Sequence, residues 1–193
     1  PGDVMLSDCD RDPAQAIPAG YLRGLDLRGR GLATLARLHR EARDFSPDLL
    51  GQTVPLTEND SSARCFLPGF AQPGAVRLFD HIWPELAEAF ETLDTKGMDV
   101  IVDAGRLGRE GLPVALLEVA DAIGFVLQSN LKSLAASRLY LPLLVEQVNS
   151  LTADRPLGLL ITGPDRPYSA REITAQFGVS CWAQIPWAPH PAG

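Results

Sequence analysis

The chain has 193 residues, of which 46% are apolar and 21% charged, a composition typical of one globular domain with a single hydrophobic core. Its formal net charge of -7 at pH 7 argues against nucleic acid as a default partner, because non-specific DNA binding depends on Lys and Arg that neutralise phosphates. Composition therefore favours one acidic domain that acts on something other than nucleic acid.

Membrane and secretion signals are not evident in the sequence. The longest apolar runs, 122–127 and 157–161, fall far short of the ~20 residues that a membrane-spanning helix needs. The first residues, PGDVMLSDCD, carry neither a basic start nor the apolar stretch of a secretory signal. We expect a cytoplasmic protein without a transmembrane segment.

The cysteines and histidines do not form a metal-binding pattern. Cys9, Cys65 and Cys181 are odd in number and far apart, and the three histidines are equally scattered. These spacings predict neither a disulfide framework nor a zinc site. We expect reduced, structural thiols.

The first half of the chain alternates a short strand, a helix and a region rich in proline. Residues 4–7 form an apolar run that predicts a strand, and it ends in three closely spaced acids, Asp8, Asp10 and Asp12. The segment 31–44 places its leucines on one face at the helical period, so it predicts an amphipathic helix. Four prolines between residues 46 and 73 predict brief strands or turns there.

The second half of the chain alternates more regularly. Apolar residues recur at three- and four-residue steps over 76–93, which predicts a long amphipathic helix with Phe79 and Trp83 in the core. The pattern then predicts strands at 100–102, 123–127, 157–161 and 181–185, separated by helices at 113–119, 131–148 and 169–177. Apolar strands that alternate with helices are typical of a parallel sheet covered on both faces. We therefore expect an α/β fold, a doubly wound, mostly parallel sheet in one domain.

The stretch DVIVDAGRLGREG, residues 99–111, delivers a carboxylate from a buried strand directly into a glycine-rich loop. Asp103 could simply cap the next turn, as Asp often does, and the acids that follow residues 4–7 could form a solvated turn. Alternatively, the carboxyl ends of parallel strands meet at one edge of a sheet, so Asp8, Asp10 and Asp103 could converge there. Carboxylates at such an edge suit Mg²⁺ together with a phosphate substrate. Gly105 would let a backbone N–H approach a terminal phosphate.

Three motifs, in the same chain order, resemble the MinD/ParA family of deviant Walker ATPases, which have a P-loop NTPase fold. VMLSDCDRDP resembles the family's strand that ends in D-x-D before a proline, and DVIVDAG resembles its Walker B strand and switch loop. LGLLITGPDRPYSAREITAQFGVSCWAQIPW is similar to its closing strand, helix and strand ending in Ile-Pro. The similarity is greatest to divergent actinobacterial members, which fits fifteen Arg against two Lys.

The resemblance implies ATP and Mg²⁺ as cofactors, a homodimer, and a role for each matching residue. Asp103 would hold Mg²⁺ through water and Asp8 would support the metal, while Asp10 would orient the attacking water. Gly105 would sense the γ-phosphate. The loops after the last two strands, Gly163 with Pro164 and Pro186 with Trp187, would lie near the adenine base, although the Asn that the family often carries is absent at Gly163.

One motif of the family is missing from these residues. No G-x-x-x-x-G-K-[ST] sequence or deviant form occurs, and the two lysines, Lys96 and Lys132, do not lie in a glycine-rich loop before a helix. The chain starts at PGDV, where the resemblance places the turn after the phosphate loop. We expect a piece of a longer ATPase that lacks the first strand, the P-loop and the final helix; a natural degenerate that never bound nucleotide is the other explanation.

Two functions are therefore compatible with the sequence. The first is a nucleotide-dependent switch ATPase that positions a cargo or partner, with its P-loop supplied from upstream. The second is a non-catalytic interaction module on a degenerate P-loop NTPase fold. For the 193 residues alone we expect no ATP binding and no activity, because no group neutralises the phosphates.

Overall fold

A computed structural model describes residues 2–12, 17–27, 29–41, 44–57, 62–70, 79, 81–163 and 167–186 of the chain. Its backbone divides into two compact units, Pro1–Arg106 and Leu107–Gly193.

The first unit is built on a four-stranded sheet. Its strands are β1 (Asp3–Asp8), β2 (Val54–Pro55), β3 (Arg64–Leu67) and β4 (Met98–Asp103). They lie in the order β2-β3-β1-β4, so that β1 is central and pairs in parallel with β3 and with β4. The short β2 pairs antiparallel with β3.

Two helices contribute to the core of the first unit. Helix α1 (Leu32–Arg40) buries Leu32, Leu35, Ala36 and Leu38, the positions that its helical period placed on one face. Helix α2 (Trp83–Asp94) has Pro84 in its first turn, where a missing N–H costs nothing. The core also contains an aromatic group in which Phe79 and Trp83 meet edge to face with ring centroids 4.7 Å apart.

The second unit is built on a three-stranded parallel sheet in the order β5-β6-β7. Its strands are β5 (Ile123–Gln128), β6 (Leu157–Thr162) and β7 (Cys181–Ile185), and its helices are α3 (Val114–Val119), α4 (Leu131–Asn149) and α5 (Ala170–Phe177). The fully buried Leu159 and Ile161 of β6 lie in one hydrophobic cluster with residues of all three helices.

Helix α5 shows how closely local sequence determines an element here. Ser169 and Glu172 form a reciprocal capping box at its start, with each side chain bonded to the other residue's backbone N–H. Gly178 ends the helix in the left-handed conformation, with φ of 67°, which glycine adopts without steric cost. The predicted helix at 169–177 is thereby confirmed to within one residue.

The α/β class and the predominance of parallel strands are confirmed. Within the described residues the strands are hydrogen-bonded as a four-stranded sheet in the first unit and a three-stranded sheet in the second. The helix predicted over 76–93 is present from Trp83 onward, and most of its predicted first part lies outside the described residues. Among the residues that the structure covers, no helix is both long enough and apolar enough to cross a membrane.

Candidate functional site

The acids predicted to converge do lie at one edge of the first unit's sheet. Asp8 is the last residue of β1 and Asp103 the last residue of β4, and the two occupy paired positions in the parallel register. The main-chain pairing of the two strands extends one residue past Asp8, since the N–H of Cys9 donates to the carbonyl of Asp103 at 2.8 Å. Asp10 follows on the same strand end. The expectation that these acids sit on adjacent strands at a common edge is therefore confirmed.

Each of these acids also closes a turn of its own backbone. The Oδ1 atom of Asp8 accepts from the N–H of Asp10 at 3.1 Å, and that of Asp10 accepts from the N–H of Asp12 at 2.9 Å. The Oδ1 atom of Asp103 accepts from the N–H of Gly105 at 2.9 Å. The sequence left two roles open for these acids, forming a turn or meeting at a sheet edge. In the structure the same acids do both.

Asp8 is the most perturbed of the acids. Its side chain is 6% exposed, and burial raises the pKa of the carboxyl group from 3.8 to about 6. The hydrogen bond from the N–H of Asp10 opposes this pKa shift, whereas the neighbouring charges of Asp103 and Asp10 add to it. A buried carboxylate beside two others is a position where a cation would relieve an unfavourable charge.

The acids at this sheet edge supply some, but not all, of the ligands that Mg²⁺ needs. Mg²⁺ is commonly held by one or two carboxylates, with water and phosphate oxygens completing its octahedron, and Asp8 and Asp103 supply two carboxylates on neighbouring strands. No cluster of three or more metal-ligating side chains is assembled within the described ranges. The phosphate cradle of a P-loop has no counterpart in the sequence, so the residues present do not fit the nucleotide phosphates.

Gly105 lies between the ends of β1 and β4. Its N–H, predicted to face a terminal phosphate, donates to Asp103. Its Cα faces Asp10: a Cβ at position 105 would lie 2.1 Å from the Cγ atom of Asp10. Gly105 therefore contacts both strand ends in this structure.

Gly69 is a site residue that the sequence reasoning missed. It lies in the loop after β3, on the other side of β1, where a Cβ would come within 2.7 Å of both the Cγ atom and the main-chain carbonyl of Asp8. The signal in the sequence is a glycine two residues after a strand, behind Pro68. That signal is common to many turns, so the sequence alone did not connect Gly69 with Asp8.

In the second unit, two of the residues predicted to lie near a base belong to adjoining strand ends. Gly163 follows β6 and its N–H donates to the carbonyl of Ile185, the residue before Pro186, at 2.8 Å. The buried hydroxyl of Ser129, at the end of β5, donates to the carbonyl of Gly163. Pro164 and Trp187 lie outside the described residues.

Parallel strands with intervening helices and polar groups at the carboxyl ends of the strands define an α/β fold. The solved structures bear this out. A ParA family ATPase from Chlorobium tepidum TLS matches with a TM-score of 0.71 and 16% identity, over 96% of this chain and 71% of that chain. The septum site-determining protein MinD from Pyrococcus horikoshii OT3, complexed with Mg-ADP, matches with a TM-score of 0.64 and 16% identity, over 97% of this chain and 70% of that chain.

A plasmid partition protein from Borrelia burgdorferi also matches, with a TM-score of 0.64 and 15% identity, over 95% of this chain and 76% of that chain. At such identities the likeness shows a shared fold, that of the ParA and MinD ATPases. No family model matches the sequence, and no curated protein matches it.

Proposed function

We propose that this chain is the larger part of a MinD/ParA-like ATPase that acts as a nucleotide-dependent switch and positions a cargo or partner. One observation carries the proposal: Asp8 and Asp103 pair in register on adjacent parallel strands, with Asp10 packed against Gly105 at the same edge. The ParA-like and MinD-like folds of the matched structures support it, and one of those proteins was solved with Mg-ADP.

Each acid has a distinct part in the proposal. Asp103 and Asp8 would hold Mg²⁺, and a bound metal would supply positive charge to offset that of the phosphates. Asp10 is more exposed than Asp8 and follows the strand, where it can accept a proton from, or orient, a water molecule. Gly105 reports the γ-phosphate only if its N–H exchanges Asp103 for a phosphate oxygen, because one N–H serves one strong acceptor at a time.

The base-binding part of the proposal rests on the second unit. Gly163 and Pro186 are brought to adjoining strand ends by the pairing of β6 with β7. Both are proposed to line the adenine. Among the described residues beside them, the hydroxyl of Ser129 and the main-chain groups of Gly163 and Ile185 are neutral, which suits an uncharged base better than a phosphate.

The missing phosphate loop is proposed to come from sequence outside these 193 residues. Among the residues that the structure describes, β4 and β5 each end a sheet and pair on one side. Each leaves a large apolar residue exposed, Ile101 at 57% and Val126 at 60%. Long apolar edges of parallel sheets are normally covered or paired. An additional strand, carrying the P-loop at its end, would pair with such an edge.

The decisive experiment reads the coding sequence upstream of Pro1 and then compares two chains. If the reading frame continues into a G-x-x-G-K-[ST] motif, calorimetric titration with Mg-ATP should show binding by the longer chain and none by the 193 residues, with slow phosphate release only from the former. Tight Mg-ATP binding by the 193 residues alone would refute this assignment.

The same comparison tests the second candidate, a non-catalytic interaction module. That candidate is favoured by the absence of a P-loop motif from the sequence. A stop codon directly upstream, together with a monodisperse and thermally stable monomer in light scattering and calorimetry, would support it. Under the ATPase proposal the 193 residues should instead self-associate through their apolar edges, while the longer chain should form a nucleotide-dependent homodimer in the cytoplasm.

A further inference from the structure

Gly105 lies between the two acids proposed to serve hydrolysis and metal binding. On one side its N–H donates to the Oδ1 atom of Asp103 at 2.9 Å. On the other side a Cβ would meet three atoms of the Asp10 side chain, at 2.1 Å from Cγ, 2.1 Å from Oδ1 and 2.6 Å from Cβ. All three are side-chain atoms, so the space that a Cβ would need is taken up by the carboxyl group of Asp10.

The backbone of Gly105 adds a second requirement for glycine, and the two requirements can be separated. Its φ of +71° is in the left-handed region, where any L side chain is strained. Gly97, in the turn before β4, has the same kind of backbone with φ of +84°, yet a Cβ there would meet nothing within 4 Å. Alanine at position 97 therefore suffers the backbone strain alone, whereas alanine at position 105 suffers the strain and the collision with Asp10.

A matching contact exists on the opposite side of β1. Gly69, from the loop after β3, leaves room for Asp8 much as Gly105, from the loop after β4, leaves room for Asp10. The two acids of the D-x-D sequence are thus each packed against a glycine from a different neighbouring loop. Because a Cβ at position 69 would also strike the main-chain carbonyl of Asp8, only Gly105 allows the side-chain contact to be tested by itself.

We propose that Gly105 is a positioning residue that fixes the carboxyl group of Asp10 beside Asp103, through the contact of its bare Cα with Asp10 and its N–H bond to Asp103. The role rests on the proposed function, because Asp10 is the acid assigned to orient water. It differs from phosphate sensing, since it acts with no nucleotide bound. The contact also links two acids that stand at the ends of different strands.

A thermodynamic cycle tests the contact without nucleotide. Urea unfolding is measured for the 193-residue chain and for Gly105→Ala, Gly97→Ala, Asp10→Ala and the Asp10→Ala/Gly105→Ala double variant. The urea midpoint should fall further for Gly105→Ala than for Gly97→Ala. Asp10→Ala removes the two atoms nearest to a Cβ at position 105, Cγ and Oδ1, and leaves only the Cβ atom of residue 10 at 2.6 Å. The additional substitution at position 105 should therefore cost less in the Asp10→Ala background than in the unsubstituted chain.

Two results would overturn the contact as a positioning device. One is a Gly105→Ala variant as stable as Gly97→Ala. The other is a substitution at position 105 that lowers the urea midpoint as much in the Asp10→Ala background as in the unsubstituted chain. If Gly105→Ala fails to fold by itself, recovery of folding in the double variant supports the inference and continued failure overturns it.

Turnover separates this inference from the proposed function. In the longer, P-loop-containing chain, Gly105→Ala should lower kcat for ATP by about a hundredfold, because misplacing a catalytic group by about 1 Å has that effect. Nucleotide affinity should stay near that of Gly97→Ala. Undiminished kcat would overturn the positioning role while leaving the ATPase assignment intact. Absence of ATP turnover from the unsubstituted longer chain would instead overturn the ATPase assignment, and the stability cycle would still decide the contact.

Discussion

The carboxyl ends of the two parallel sheets are built alike but carry opposite chemistry. In the first unit, strands β1 and β4 end in acids, and the site consists of Asp8, Asp10 and Asp103. In the second unit, β5 ends at Gln128 and is followed by Ser129, and β6 ends at Thr162 and is followed by Gly163; all four residues are uncharged. One strand-end geometry can therefore present either a charged or a neutral surface, and the residue at the strand end decides which.

The two ends also differ in how well their buried polar groups are satisfied. Ser129 is 2% exposed, but its N–H donates to the carbonyl of Thr162 at 3.2 Å and its hydroxyl to the carbonyl of Gly163. Asp8 is similarly buried, and burial raises the pKa of its carboxyl group, to which the charges of Asp103 and Asp10 add. The neutral end stabilises the fold that contains it, whereas the acidic end stores unfavourable charge that a bound cation would offset.

The largest expected effect concerns the acidic end. In the longer, P-loop-containing chain, Asp10→Ala should reduce ATP turnover by about 10²- to 10⁴-fold while sparing nucleotide binding, because its proposed part is to orient water. Phosphate release and calorimetric titration measure the two quantities. Asp12→Ala, an exposed acid two residues further along, removes the same charge and should leave turnover near normal. Equal losses of turnover in the two variants would mean that the change in net charge, and not the position of Asp10, causes the effect.

The next effect concerns the core beneath the neutral end. Leu159 of β6 is fully buried in the cluster of the second unit, so Leu159→Ala should lower the free energy of unfolding by about 3 kcal/mol. Leu139→Ala, on helix α4 and 68% exposed, is the matched control and should change the free energy by less than about 0.5 kcal/mol. Urea denaturation gives both values. A similar cost for the two would show that β6 is not at the centre of this core.

Asp8→Asn tests the stored charge. Because its pKa rises from 3.8 to about 6 on burial, folded Asp8 retains a proton at pH values where the unfolded chain has lost it. The contribution of Asp8 to stability is therefore most favourable below about pH 4 and is lost as the pH rises through about 6. Asn keeps the acceptor for the N–H of Asp10, so the variant should gain about 2 kcal/mol at pH 7 and flatten this pH dependence. A loss of stability at pH 7 would contradict the stored-charge explanation.

The smallest expected effect is the counterpart at the neutral end. Ser129→Ala removes the hydroxyl that bonds to Gly163 and should cost about 1 kcal/mol. Unlike the effect of Asp8→Asn, this cost should be the same at pH 4 and pH 7, since neither partner titrates in that range. Urea unfolding at both pH values measures it. If the stability cost of Ser129→Ala differed between pH 4 and pH 7, the two sheet ends would not differ in the pH dependence of their stability.

The positions of the elements followed from the sequence because each signal is local. The strand predicted at 100–102 is observed as Met98–Asp103, and it follows a turn at Gly97. The convergence of Asp8 and Asp103 was also predictable, since parallel strands end at a common edge.

The packing around the acids could not be predicted in the same way. Gly69 meets Asp8, and Gly105 meets Asp10, only because β1 lies between β3 and β4. The strand order depends on tertiary packing that no local pattern encodes. For the same reason, the sequence could not show that the N–H of Gly105 is bonded to Asp103.

The position of β4 at the end of its sheet has a consequence for its individual amide protons. In a parallel pair, successive N–H groups of a strand point alternately toward its neighbour and away from it. In the described part of the first unit, β4 has one hydrogen-bonded neighbour, β1, whereas β1 has two. Amide exchange should therefore alternate between slow and fast along residues 98–103 and be uniformly slow along residues 4–7. When a further strand pairs with β4, the fast positions become slow, so the exchange pattern of six residues reports whether the sheet is complete.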